Sequence, residues 1–208
     1  MAVAEVDRAQ NLRSGVRLEY LSLTYNVIEA GVGLAAGLAA GSVALIGFGL
    51  DSVVESSSAG ILIWRLRSEG AGRRTTEELE MRAIRLVAIA FFALAAYVAV
   101  EAVFTLLDRA RPEDSPVGIA IAAASLVVMP LLARAKRRAA KALDSRSMQA
   151  DSRQTSLCTY LSAVLLGGLI ANAAFGWWWA DPIAAIGIAA IAADEGRELW
   201  RTKDLCCD

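Results

Sequence analysis

Two acidic residues, Asp51 and Glu55, lie within an apolar run that is long enough to cross a membrane. The run reads ALIGFGLDSVVESSSAGILIW over residues 44–64. Four residues apart on a helix, the two carboxylates lie on one face, about 6 Å apart along the axis. An acidic side chain near the centre of a bilayer costs about 3 kcal/mol on insertion scales. We therefore expect this helix to turn both acids into a helix bundle, where a cation is their simplest occupant.

The rest of the chain is also built for a membrane. It is 56% hydrophobic and 21% charged, too apolar for an ordinary soluble domain and too charged for membrane spans alone, so the charges should be segregated into loops. Hydropathy predicts an all-α membrane protein, a bundle of six transmembrane helices. The predicted spans are residues 18–39, 44–64, 83–107, 117–132, 151–175 and 177–193.

Basic residues give the orientation. Arg and Lys are concentrated before the first span, in alternate loops and after the sixth span, whereas only Arg109 and Arg111 lie on the opposite side. The positive-inside rule then places both termini in the cytoplasm. We predict a cytoplasmic N-terminal segment at 1–17, a membrane domain at 18–196 and a short cytoplasmic tail at 197–208. The preference for Arg over Lys and the many Ala residues point to a GC-rich bacterial genome, hence to a multi-pass protein of the inner membrane.

Charge also limits the possible partners. The net charge of −1 gives no general affinity for nucleic acid. The basic stretch 134–146 is predicted to be a cytoplasmic loop in contact with anionic lipid. We expect no disulfide framework from three cysteines, of which Cys206 and Cys207 lie in the tail.

Local signals refine the ends of the spans. Pro130 predicts a kink or an early end of the fourth helix. Asp181 and Pro182 are suited to be the N-cap and the first turn of the sixth helix. Asp194 and Glu195 are predicted to mark the point where that helix leaves the membrane.

A second polar stripe follows one face of the fifth span. Its Gln154 and Cys158 are four residues apart, as Asp51 and Glu55 are in the second span. Two helices that each carry such a pair can close a four-ligand metal site between them. The alternative is a helix–helix contact, because small polar residues join membrane helices. The stripe comprises Asp151, Gln154, Thr155, Cys158 and Ser162.

These features resemble the cation diffusion facilitator (cation efflux) transporters over nearly all of the chain. The resemblance rests on the six spans, on GSVALIGFGLDSVVESSSAGILIWR, and on ADSRQTSLCTYLS followed by GWWWADPIAAIGIAA. It implies metal ligands at Asp51 and Glu55, where the family has Asp or His and then Asp. It also implies ligands at Gln154 and Cys158, where the family has His or Asp and then Asp. Homodimers, proton antiport and alternating access are further implications of the family.

The fifth span departs from the family pattern. Gln154 and Cys158 remove one charge and one imidazole and add a soft sulfur, which leaves zinc and other transition metals open as the transported ion. The chain has no His at all. Asp151 could supply a replacement carboxylate or lie at the cytoplasmic entrance. Glu29, in the middle of the first span, is a candidate for a second cation or proton position.

We therefore predict a divalent metal efflux transporter without a resident cofactor. Protons are the expected counter-ion, because the ligands must lose their protons to bind a metal ion. We also expect no cytoplasmic metal-binding domain after the sixth span. The main alternative is a non-transporting scaffold, assembly partner or metal sensor on the same fold. A membrane enzyme is the weakest alternative, since Cys158 has no His to activate it.

Overall fold

A computed structural model describes residues 2–70 and 77–202. The described residues form six helices and no strand, which confirms the predicted all-α bundle. Five of the helices are long and apolar enough to span a membrane, while the sixth has charged residues at both ends. Cys206 and Cys207 lie outside the described residues. The helices are α1 (Ala2–Ala40), α2 (Val43–Gly70), α3 (Glu77–Asp108), α4 (Pro116–Leu143), α5 (Arg146–Phe175) and α6 (Ala180–Thr202).

Glycines bring α1 and α2 together as an antiparallel hairpin. Gly41 has φ of 63° in the tight turn, a conformation that favours glycine. A Cβ added at Gly33 would lie 3.3 Å from the Gly49 Cα, and one added at Gly37 would lie 2.8 Å from the Ile46 amide nitrogen. The two backbones are therefore in contact, which is the usual role of small residues in membrane helices.

The fourth helix is longer than predicted. Pro130 lies inside α4, which continues to Leu143, so the predicted early end is wrong and most of the supposed basic loop is helical. The helix continues because its buried residues keep helical spacing beyond the proline, Lys136 among them. Asp144, with φ of 50°, ends the helix, and the Ser145 hydroxyl caps α5 by accepting from the Met148 amide.

Aromatic residues connect α5 to α6. Gly176 adopts φ of 64°, and the following tryptophans form a turn before α6 begins at Ala180, three residues later than predicted. The Trp177 and Trp179 rings stack with centroids 5.2 Å apart, and both are exposed. Exposed aromatic rings at a helix end are typical of the membrane–water interface.

Asp181 stabilises a different helix from the one predicted. Its carboxylate accepts hydrogen bonds from the Val43 amide at 3.0 Å and the Ala44 amide at 3.4 Å, and also from the Ser42 hydroxyl. Asp181 therefore caps α2 rather than α6, so its predicted N-cap role is wrong, whereas Pro182 lies in the first turn of α6 as predicted. A carboxylate at a helix N-terminus satisfies amides that have no partner within the helix. This contact joins α6 to the start of the helix that carries Asp51.

Candidate metal site

Asp51 and Cys158 meet between α2 and α5. Both side chains are buried, and the Cys158 thiol donates to Asp51 Oδ2 over a distance of 3.6 Å. The apolar residues around them, Phe48 and Leu165 among others, hold the two helices in contact. The acidic face of the second span and the polar stripe of the fifth thus face each other in the bundle interior.

A small cavity adjoins this contact. Its volume is about 10 Å³, room for roughly one water-sized sphere. Its polar lining comes from α2, α5 and α6, and the apolar remainder comes from α3, α5 and α6. The Gln154 Nε2 atom is buried without a hydrogen-bond partner in the described part of the chain. The lining polar residues are Asp51, Gln154, Cys158 and Glu195.

Glu195 is a cavity residue that the sequence analysis does not identify. It is only 8% exposed and lines the cavity, while the prediction that α6 leaves the membrane near this residue stays a prediction. The available signal was helical spacing, because Ile188, Ala192 and Glu195 follow one another on the buried face of α6.

Glu55 is buried but does not line that cavity. It is 1% exposed, and neither of its carboxylate oxygens has a hydrogen-bond partner among the described residues. The Ser52–Glu29 hydrogen bond and the contact between Gly15 and Leu66 fix the register of the hairpin. At that register Glu55 is level with Asn26.

The face of α1 opposite Glu55 is polar as well. The Asn26 amide and the Ser22 hydroxyl are buried, and neither has a hydrogen-bond partner within the described ranges. Burying such groups without partners is costly. The α1 helix therefore presents two buried polar groups whose hydrogen-bonding capacity is unused among the described residues.

Glu29, by contrast, is satisfied by hydrogen bonds. Its Oε2 accepts from the Ser52 hydroxyl at 2.9 Å, and its Oε1 accepts from the Ser125 hydroxyl. The Tyr25 and Ser125 hydroxyl oxygens lie 2.8 Å apart. The structure thus places Glu29 in a network that joins α1, α2 and α4, apart from the Asp51–Cys158 contact.

Asp151 belongs to a buried ion cluster. The Lys136 ammonium lies 2.5 Å from Asp151 Oδ2 and 3.1 Å from Glu19 Oε2, and the Ser58 hydroxyl donates to Asp151 Oδ1 at 3.4 Å. Lys136 and Glu19 are 0% exposed. Sequence reasoning missed both residues, because it placed Lys136 in a loop, although Met129, Ala133, Lys136 and Ala140 share one face of α4.

The described residues do not present a complete metal-binding set in this conformation. No three side chains of Cys, Asp or Glu among them lie close enough together to hold one ion. The structure brings Asp51 and Cys158 into contact, places Gln154 on the same cavity, and places Glu55 beside Thr155 and Cys158 of α5, outside the cavity lining. Binding of an ion by all four would require their side chains to converge.

Comparison with known proteins identifies the family of the chain. The family model described as the cation efflux transmembrane domain matches residues 20–203. An uncharacterized transporter, sll1263, of Synechocystis sp. is 30% identical over 189 residues, which are 87% of this chain and 60% of that protein. The cation-efflux pump FieF of Shewanella oneidensis is 29% identical over 94 residues, 45% of this chain and 31% of the pump. The matched regions thus span less than two thirds of these relatives.

Proposed function

Since the chain belongs to the cation efflux transmembrane domain family, we propose that it moves a divalent transition-metal ion out of the cytoplasm in exchange for protons. Family members are cation efflux transporters, which agrees with a multi-pass membrane protein and disfavours the enzyme alternative. The predicted membrane domain at 18–196 would contain the whole path of the metal ion across the membrane. We further propose a homodimer and alternating access.

The distance between Asp51 and Cys158 carries the proposal. In a tetrahedral zinc site with a Zn–S bond of about 2.3 Å and a Zn–O bond of about 2.1 Å, the sulfur and oxygen atoms lie about 3.6 Å apart. The Cys158 Sγ and Asp51 Oδ2 atoms are 3.6 Å apart. Replacing the thiol proton by a metal ion would need almost no movement of these two ligands.

The remaining ligands would come from residues around this pair. Gln154 lines the same cavity and can offer its amide oxygen, and Glu55 follows Asp51 by one turn on α2. Thiol and carboxyl groups must be deprotonated to bind a metal ion, so binding would release protons and metal release would take them up. This supports proton exchange without histidine.

Transport by purified protein in proteoliposomes tests the proposal. We expect metal flux that depends on a pH gradient and falls at least about tenfold in Asp51→Asn, since one ligand charge is lost. Asp108→Asn is the matched control, because it removes the same charge from an exposed position at the end of α3. Equal flux in wild type, Asp51→Asn and Asp108→Asn would overturn the proposal.

A metal sensor or scaffold is the second candidate. It is favoured by the lack, among the described residues, of three acidic or thiol side chains that already converge on one point. Such a protein would bind the ion without moving it. Binding that Asp51→Asn abolishes, together with no flux in wild type, would select the sensor over the transporter.

A further inference from the structure

We propose that Glu195 of α6 is an additional ligand of the transported cation and supplies the negative charge that Gln154 does not provide on α5. The inference rests on the proposed function, because it assigns a further residue to the same site. It concerns a divalent first-row metal ion that accepts both oxygen and sulfur ligands. In this site, three helices rather than two would hold the ion.

The packing of α5 against α6 places Glu195 at the site. A Cβ added at Gly187 of α6 would lie 3.3 Å from Val164 Cγ1 of α5. The two helices are antiparallel, so a step of eight residues from Gly187 toward the end of α6 matches a step of eight residues from Val164 toward the start of α5. These steps place Glu195 beside position 156. That position lies midway between Gln154 and Cys158. The cavity lining agrees, since Glu195 lines it together with both residues.

A second observation points to a ligand in this cavity. Gln154 is buried, its Nε2 atom has no hydrogen-bond partner among residues 2–70 and 77–202, and it shares the cavity with Glu195. The amide therefore does not serve as a structural hydrogen-bond donor to that carboxylate. Rotation of the amide by 180° would exchange Nε2 for the amide oxygen, which, like the carboxylates of Asp51 and Glu195, can bind a cation.

The neighbouring charges of α6 have a different environment. Glu198, one turn further on, forms an exposed ion pair with Arg153 of α5 at 3.4 Å. Asp194, the residue before Glu195, is exposed. Of these three neighbouring acids, Glu195 is the one that faces the cavity.

Metal titration of the purified protein tests this inference. The protein should carry Cys206→Ser and Cys207→Ser, so that tail thiols do not bind the probe ions, Zn²⁺ and Mn²⁺. We expect Glu195→Gln to weaken binding at least about tenfold. The loss should be larger for Mn²⁺, because Mn²⁺ depends on oxygen ligands whereas Cys158 still holds Zn²⁺. Asp194→Asn is the matched control and should bind both ions like the parent protein.

The variants separate failure of this inference from failure of the proposed function. If Asp51→Asn loses binding while Glu195→Gln matches Asp194→Asn, then Glu195 is not a ligand but the metal site stands. If Asp51→Asn also binds like the parent, both are wrong. A merely structural Glu195 would lower the melting temperature without shifting the Mn²⁺ to Zn²⁺ affinity ratio. Should Glu195→Gln not fold, Glu195→Asp decides, and parental affinities and ratio in that variant would overturn the inference.

Discussion

Two groups of buried acids differ in what neutralises them. Glu19 and Asp151 share the Lys136 ammonium, which lies within 3.1 Å and 2.5 Å of their oxygens. Asp51 accepts only from a thiol in the contacts described, and both oxygens of Glu55 are without hydrogen-bond partners in the described ranges. Burial is almost equal in the two groups, so it does not distinguish them. A direct ion pair with Lys136 does, because Glu55 interacts with that ammonium only at longer range.

The two groups meet α5 at neighbouring levels along its axis. Asp151 and Gln154 are three residues apart on α5, a rise of about 4.5 Å. The ion cluster joins α1, α4 and α5, while the candidate site draws on α2, α5 and α6. A protein that already supplies a lysine to one pair of acids could have supplied one to the other. The acids that form no ion pair with Lys136 are therefore the ones we assign to a transported cation, although Glu55 interacts with Lys136 at longer range.

Lys136→Met should have the largest effect on stability. Methionine keeps much of the side-chain volume but leaves Glu19 and Asp151 buried without a cation, and breaking a buried ion pair costs about 3–5 kcal/mol. We expect a large fall in the melting temperature of the purified protein. Lys141→Met, which removes an exposed charge from the same helix, should change it little.

A triple variant sharpens this prediction. Glu19→Gln and Asp151→Asn combined with Lys136→Met remove all three charges, so much of the lost stability should return, since neutral replacements of buried ion pairs are often tolerated. If Lys136→Met alone is as stable as wild type, the cluster is not a structural unit. The two groups of acids would then no longer differ.

Asp181→Ala should have an intermediate effect. The variant removes the acceptor for two amides of α2, and loss of a helix cap costs about 0.5–2 kcal/mol. Thermal unfolding compared with Glu113→Ala, an exposed acid near the same end of the bundle, measures it. A loss no greater than that of Glu113→Ala would mean that a buried acid with hydrogen-bond partners can be as dispensable as an exposed one.

The sequence was sufficient for the fold because membrane insertion constrains it strongly. Long apolar runs must be helical, and i, i+4 polar pairs must face inward, so the six helices and the inward faces of Asp51 and Cys158 follow from pattern alone. Which distant residues meet does not follow from pattern, and the contact between Asp51 and Cys158 was expected from the family resemblance. Asp181 was predicted to cap its own helix because capping rules consider only residues that are close in sequence. They cannot identify the N-terminus of α2, which tertiary packing brings close to Asp181.

Charges near helix ends were the other source of error. Lys136 and Glu195 occur beside other charged residues, and such stretches are usually solvated. Their burial depends on which face of α4 and α6 packs inward, and that is decided by neighbouring helices. Helical spacing of the buried alanines around them was the one available signal. Whether Gln154 and Glu55 bind an ion remains a prediction.

Glu55→Gln should have the smallest effect on stability, and in the opposite direction. Glutamine can still accept from the Thr155 hydroxyl and the Cys158 thiol beside Glu55, and one buried charge is removed, so stability should be unchanged or rise by up to about 1 kcal/mol. Metal flux in proteoliposomes should nevertheless fall at least about tenfold, because a ligand charge is gone. A variant that loses stability as Lys136→Met does, while flux per folded protein persists, would place Glu55 with the structural acids and erase the distinction between the two groups.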